Sequence, residues 1–264
     1  MNKTFLALTL FLPSILFAGE SGINQIIPTS NWTGFYVGGS LGQAFNTLRG
    51  SVSDAPYIDQ GGVFFPSFAQ PYNANHRVFA GGAQLGYLHQ INQFVYGTEL
   101  SVIGLNHKNS HTLKDEDVGQ FINIFKPGDT FYSDINWQAS WVARGGTQLK
   151  NWLFYGLGGV TTMNHKISTK ITSILIDGDI FPASEGSDEK ILVGGAIGLG
   201  AEYALWANSS IGLEYRYAHF GKHQYSVGQN AVSALPNGFI YTDLKASATL
   251  VNNLVLVRFN YFFN

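Results

Sequence analysis

Apolar residues alternate with small or polar ones in eight stretches of this chain, and the gaps between those stretches come in two sizes. Long gaps fall near 47–76, 108–131, 167–189 and 222–242; short ones fall near 91–93, 149–152 and 205–209. Side chains two apart on a strand share a face, so each stretch predicts a strand with one apolar side. Over 34–45, Phe35, Val37, Gly39 and Leu41 fall on one face, and Tyr36, Gly38, Ser40 and Gly42 on the other. Further strands are expected near 77–90, 94–106, 152–165, 190–204 and 209–221. The fourth strand reads most plainly: Ile135, Trp137, Ala139, Trp141 and Ala143 alternate with Asn136, Gln138, Ser140 and Arg144. In the last strand Val255, Val257, Phe259, Tyr261 and Phe263 alternate with Leu256, Arg258, Asn260 and Phe262. Just upstream, Leu244, Ala246, Ala248 and Leu250 occupy even positions. That change of parity predicts either a bulge near Asn252 and Asn253 or a loop within 243–251.

Sorting the gaps into short and long predicts an all-β fold: an eight-stranded antiparallel transmembrane β-barrel, with short periplasmic turns, four long extracellular loops and both termini periplasmic. Composition points the same way. Hydrophobic residues make up 45% of the chain and aromatic residues 14%, but charged residues only 12%. That is about half the charge of an ordinary soluble domain. A barrel accommodates such a chain without any continuous apolar run, because only every second residue faces lipid. A soluble β-sandwich is the competing architecture. Residues 1–18 carry one early cation, Lys3, then an apolar run from Phe5 to Phe17, then Ala18 and Gly19. This is the layout of a secretory signal peptide, too short to span a bilayer. The expected organisation is therefore 1–18 signal peptide, 19–31 periplasmic lead-in and 32–264 barrel domain.

Candidate chemistry is sparse. The inward faces of the expected strands carry Glu99, Arg144, Glu202, Glu214, Arg216 and Arg258. Buried charges must be paired, so three acids and three bases predict a structural ion-pair network across the lumen. A charged constriction in a small pore is the other reading of the same set. Aromatic residues gather at the short-turn ends, where amphipathic rings favour the membrane–water boundary. Trp32, Tyr96, Trp152, Trp206, Tyr261 and Phe263 are expected to form a periplasmic girdle. The acidic cluster Lys114-Asp115-Glu116-Asp117 lacks the spacing of a calcium loop and reads as solvated loop. Cysteine is absent, which excludes thiolate metal sites, and no cofactor or metal site is expected. A net charge of −2 without a basic cluster gives no footprint for nucleic acid. The chain has 7 histidines, most in expected loops or near strand ends. His219 and Ser226 are a conceivable nucleophile–base pair, but no activating motif surrounds them.

Several segments resemble a known family. Trp32-Thr33-Gly34-Phe35-Tyr36-Val37-Gly38-Gly39 resembles the opening strand of small outer-membrane β-barrel proteins of the opacity and surface-antigen type, with an OmpA-like eight-stranded barrel. The run from Trp152 to Val160 is similar to their fifth strand; Gly200 to Leu205 and Leu213 to Tyr217 are similar to their sixth and seventh. The aromatic-ended run from Val255 to Phe263 resembles the signal read by the outer-membrane assembly machinery, although Asn264 follows it. The resemblance implies residence in a Gram-negative outer membrane, with outer-membrane lipids and the assembly machinery as partners. It implies no reaction. The expected role is a non-catalytic structural or surface-interaction protein, antigen- or adhesin-like, whose loops bind an unidentified extracellular ligand; the alternative is a small porin with a narrow, charge-lined lumen. An outer-membrane hydrolase is the third class weighed.

Overall fold

The computed structural model describes residues 30–58, 62, 64–65, 67, 69–114, 127–172, 174–176, 179–206, 208–235 and 238–263. The expected signal peptide, most of the lead-in and residues 115–117 of the acidic cluster lie outside them. Eight long strands run up and down: β1 Gly34–Asp54, β2 Ala69–Ile91, β3 Phe94–Thr112, β4 Thr130–Leu149, β5 Trp152–Ile171, β6 Ser184–Trp206, β7 Ser209–Leu235 and β8 Gly238–Phe263. Each pairs antiparallel with its chain neighbours, and β1 pairs with both β2 and β8, which closes the barrel. Around the turn-end half, closure leaves no unpaired sheet edge, a condition for crossing lipid with strands. The tight turns sit at one end. Ile91 faces Phe94 and Leu149 faces Trp152 across two-residue connections, with Asn92 and Lys150 in the left-handed region at φ 55°.

In the half nearest these turns the outer wall is apolar and the lumen polar. Phe35, Val37 and Leu41 on β1, Leu85 on β2, Leu199 on β6 and Val257 and Phe259 on β8 all point outward and are exposed. The band runs from Phe35 to Phe45 on β1, about the 9–11 residues a tilted strand needs to cross the hydrocarbon. Glycines thin the wall where strands and lumen side chains approach closely. At Gly42 a Cβ would stand 1.9 Å from the Val255 carbonyl oxygen, so only glycine fits.

The strands then continue past the lipid band. The long connections leave from the opposite end, and much of 47–76, 167–189 and 222–242 is strand. Segment 222–242 is almost wholly β7 and β8, which run 27 and 26 residues. Short hairpins cap two of the others, Tyr57–Ile58 with Phe64–Phe65 in 47–76 and Ile174–Ile176 with Asp179–Phe181 in 167–189. In this extracellular half the alternation inverts. Inward positions become apolar (Leu48 and Val52 on β1, Ile135 on β4, Ile167 on β5, Leu244 and Leu250 on β8), while outward positions become polar, such as Arg49, Ser51, Lys170 and Lys245. Water now lies outside, so apolar surface turns inward.

Two ladders stop short of this half. The β2–β3 ladder ends at Gly81 and Gly104, and the β6–β7 ladder ends at Gly195 and His219. The other six ladders run on to the hairpins. Above the membrane the barrel wall thus divides into two four-stranded sheets, β2-β1-β8-β7 and β3-β4-β5-β6, packed over one apolar core. Side chains bridge the β6–β7 seam: the Ser226 N–H donates to Asp188 Oδ2 at 3.0 Å and Lys190 Nζ donates to the Gln224 carbonyl.

The inversion corrects two expectations about parity. β8 has no bulge near Asn252 and is not loop over 243–251; its ladder with β1 is regular from Phe263 to Leu244, and its even positions point inward throughout. Apolar side chains change parity because the apolar side of the wall changes. Conversely, the fourth strand, which reads so plainly, contains a bulge. Its ladders shift between Ile135 and Gln138 and, opposite, between Gly104 and His107. Ile135 therefore points inward at 2% exposure, while Trp141 on the same expected face points to lipid at 61%.

Candidate functional site

The lumen is occupied by side chains from end to end of the lipid band. At its centre Arg144 pairs with Glu99 at 3.1 Å and with Glu202 at 2.5 Å. Arg216 pairs with Glu214 at 2.7 Å and Glu99 at 3.3 Å, and Arg258 pairs with both Glu99 and Glu214. All six residues expected to form the network are brought together here, and all are buried. The sequence reading missed the neutral members. The Tyr36 hydroxyl donates to Glu99 at 2.6 Å and accepts from Arg144 at 2.8 Å. The Tyr155 hydroxyl donates to Glu214 at 2.9 Å, and its ring lies 3.8 Å beneath the Arg144 guanidinium. Asn260 donates to Glu202 at 3.1 Å and accepts from Gln84 at 2.9 Å. With Tyr36, Gln84 and Tyr155 included, each of the eight strands sends at least one group into the network. Charge-assisted bonds of this density tie the whole circumference together.

Above the charges a polar layer joins β8, β4 and β5: Asn252 donates to Gln138 at 2.8 Å, and Gln138 donates to Thr161 at 3.0 Å. Below them Trp32, Leu88, Val95, Leu153 and Phe262 form an apolar floor. Five of the six girdle residues stand on the outer wall at the turn end: Tyr96, Trp152, Trp206, Tyr261 and Phe263. Trp32 does not. It precedes β1, and the chain folds it under the barrel, where it is 2% exposed and its ring meets Phe262 edge-on at 5.7 Å. Its outward place is taken by Phe35, packed against Tyr87 at 4.9 Å. The network depends on the glycines facing it. A Cβ at Gly200 would lie 2.4 Å from the Tyr155 ring and hydroxyl. Gly200→Ala should therefore push Tyr155 off Glu214 and cost about 1–3 kcal/mol, read from the urea midpoint of the folded protein in micelles.

The imagined dyad is not assembled. His219 and Ser226 sit on the outer face of β7, seven residues apart, or roughly 20 Å. A different serine–histidine contact exists inside the extracellular core. Ser133 Oγ lies 2.9 Å from His165 Nε2, and His165 Nδ1 lies 2.7 Å from the Tyr225 hydroxyl. The order serine, base, orienting group matches the logic of an activated nucleophile. Yet His165 is fully buried and Ser133 is 5% exposed, both walled in by apolar side chains, so no substrate reaches them. The trio cross-braces β4, β5 and β7 as a satisfied polar island. Its signal in the sequence is faint: one histidine on the same parity as Met163 and Ile167. Among the described residues, no group of three His, Asp or Glu converges as a metal site.

Closed ladder, apolar outer band, aromatic turn end and filled lumen define an integral outer-membrane β-barrel. The chain belongs to the outer membrane protein beta-barrel domain family, whose model matches residues 9–249. Solved structures similar to it include the attachment invasion locus protein Ail of Yersinia pestis (13% identity, 83% of this chain and 98% of that one, TM-score 0.29). Neisserial surface protein A is similar at 15% identity over 88% and 98%, TM-score 0.31. The outer membrane protease OmpT of Escherichia coli is similar at 10% identity over 87% and 97%, TM-score 0.37. No curated protein matches the sequence.

Proposed function

We propose that this chain is a non-catalytic structural and surface-interaction protein of the outer membrane, antigen- or adhesin-like, rather than an enzyme or a channel. One observation carries the reading: the interior is committed to its own side chains, while some fifteen residues of β7 and β8 project beyond the lipid band on a packed core. Recognition on such a scaffold falls to the projecting hairpins, because loops on a rigid frame vary without unfolding it. Entry to the membrane would follow removal of residues 1–18 and recognition of the aromatic-ended β8 by the assembly machinery, with outer-membrane lipids as the permanent partner.

The test is to shorten the β7–β8 hairpin by joining Val227 to Thr242 through a two-residue turn, and to display the variant on cells. Heat-modifiable gel mobility should persist, since the membrane half is untouched, and adherence of the cells to epithelial monolayers should fall. Wild-type adherence after shortening each of the four hairpins in turn would reject the role.

A further inference from the structure

Above the last β6–β7 ladder pair, Gly195 with His219, the edge of β7 lies against the inward face of β6. A Cβ at Gly194 would stand 2.3 Å from the His219 carbonyl oxygen, and one at Gly186 2.2 Å from that of Val227. The two backbones touch there without exchanging ladder bonds, and single side-chain bonds span the seam. The Ser226 N–H donates to Asp188 at 3.0 Å, Lys190 donates to the Gln224 carbonyl, and Thr169 Oγ1 on β5 donates to the Val227 carbonyl at 2.7 Å. One more, buried, joins His165 on β5 to Tyr225 on β7 at 2.7 Å, with the two rings edge to face at 5.4 Å.

His165 bonds to a neutral hydroxyl at each nitrogen, Tyr225 at Nδ1 and Ser133 at Nε2. That pair satisfies a neutral imidazole in either tautomer, one nitrogen donating and the other accepting. An imidazolium there would be a buried cation without an acid beside it. β7 also brings His223 near, and β6 brings Lys190, whose Nζ lies over the Tyr225 ring at 5.4 Å. Asp188 on β6 is engaged by Ser226 and by Lys190 at 3.4 Å. β3 sets His107 and His111 in register with Ile135 and Phe131, on either side of Ser133. In the opposite sheet β2 carries His76, while β1 and β8 present Leu48, Ala246 and Leu250 to the core. The inward acid of β1, Asp54, is six residues beyond Leu48, roughly 20 Å along the strand. Asp134, Glu189 and Asp243 point outward. Among the described residues no carboxylate bonds to His165. Burial, and then the His223 imidazole, hold its pKa down to about 4 from an ordinary 6.5.

We propose that the β6–β7 seam is an acid-opened clasp: protonation of His165 releases β7 from β5 and β6, parts the two extracellular sheets along this line and leaves the membrane barrel closed. The sign follows from the closed form's preference for a neutral imidazole. That preference holds in full above pH 6.5 and is lost as pH falls from there towards 4. Going from pH 7 to pH 5 should therefore raise the opening equilibrium about twentyfold. Opening uncovers Leu192 on β6, Ile167 on β5 and Phe220 on β7.

Hydrogen exchange of the full chain in micelles, corrected for the intrinsic effect of pH on amide exchange, reads that equilibrium. Protection over 186–194 and 223–229 should fall about twentyfold between pH 7 and pH 5. Protection over 209–217 and 254–262, in the membrane half, should hold within about twofold. His165→Gln, which keeps one donor and one acceptor, should remove the response to acid. Ser133→Asp, which offers Nε2 a carboxylate, should remove or reverse it. Asp188→Asn should loosen the seam at both pH values yet keep the response. Heat-modifiable mobility at pH 7 identifies the variants that are folded. Equal protection of the seam at both pH values in the wild-type chain would overturn the proposal. So would a response that survives His165→Gln, one abolished by Asp188→Asn instead, or an equal loss of protection in the membrane half.

Discussion

Glu99→Gln should be the most damaging single polar substitution in this protein, costing about 3–5 kcal/mol of stability. Glu99 is 1% exposed and touches three arginines, Arg144, Arg216 and Arg258, as well as the Tyr36 hydroxyl. The amide keeps the volume but removes the one negative charge that all three cations share. Three acids then become two against three bases among side chains that are all buried. Urea titration of the folded protein in micelles reads the loss directly. Because the groups act together, Glu99→Gln with Arg144→Gln should cost less than the sum of the single changes. A single-variant loss below about 1 kcal/mol would mean that water reaches the network and screens it.

Phe220→Ala is expected to cost a similar amount, about 3–5 kcal/mol, but in a different half of the molecule. Phe220 is fully buried where β7 enters the extracellular core, one residue beyond the last β6–β7 ladder pair. No backbone ladder holds the two sheets there, so packing and the side-chain bridges from Asp188 and Lys190 must do so. Truncation should loosen the sandwich and spare the lipid-embedded barrel. Limited proteolysis should cut the variant within 222–242 while heat-modifiable mobility is kept. Loss of both together would show the two halves to be one cooperative unit.

The division between those halves explains what the sequence made legible. The membrane half obeys one rule, apolar outward on every second residue. Phe35 to Leu41 and Val255 to Phe263 therefore announce their strands, and the six lumen charges fall on the complementary parity. Above the lipid the rule reverses, and a reader following lipid periodicity sees it dissolve into loop. Leu244 to Leu250 looked like a parity fault for that reason, although the backbone is regular. At β4 the error ran the other way. The bulge at 136–137 restores an unbroken odd apolar series, so Ile135 and Trp141 seemed to share a face they do not share. Trp32 was misplaced because a tryptophan beside a strand start has the composition of a girdle residue; only the course of the chain before Gly34 puts it under the floor. Tyr36, Gln84 and Tyr155 were invisible as network members because neutral side chains carry no charge to be balanced.

A barrel closed by its own side chains, working through its outer surface, should pass no ions. Planar-bilayer recording of the refolded full chain tests it most directly. No stepwise conductance above background is expected across the voltage range where the bilayer is stable. Reproducible single-channel steps from the wild-type protein, abolished by reversing a lumen charge such as Arg216→Glu, would contradict it and make the charged ring a pore constriction.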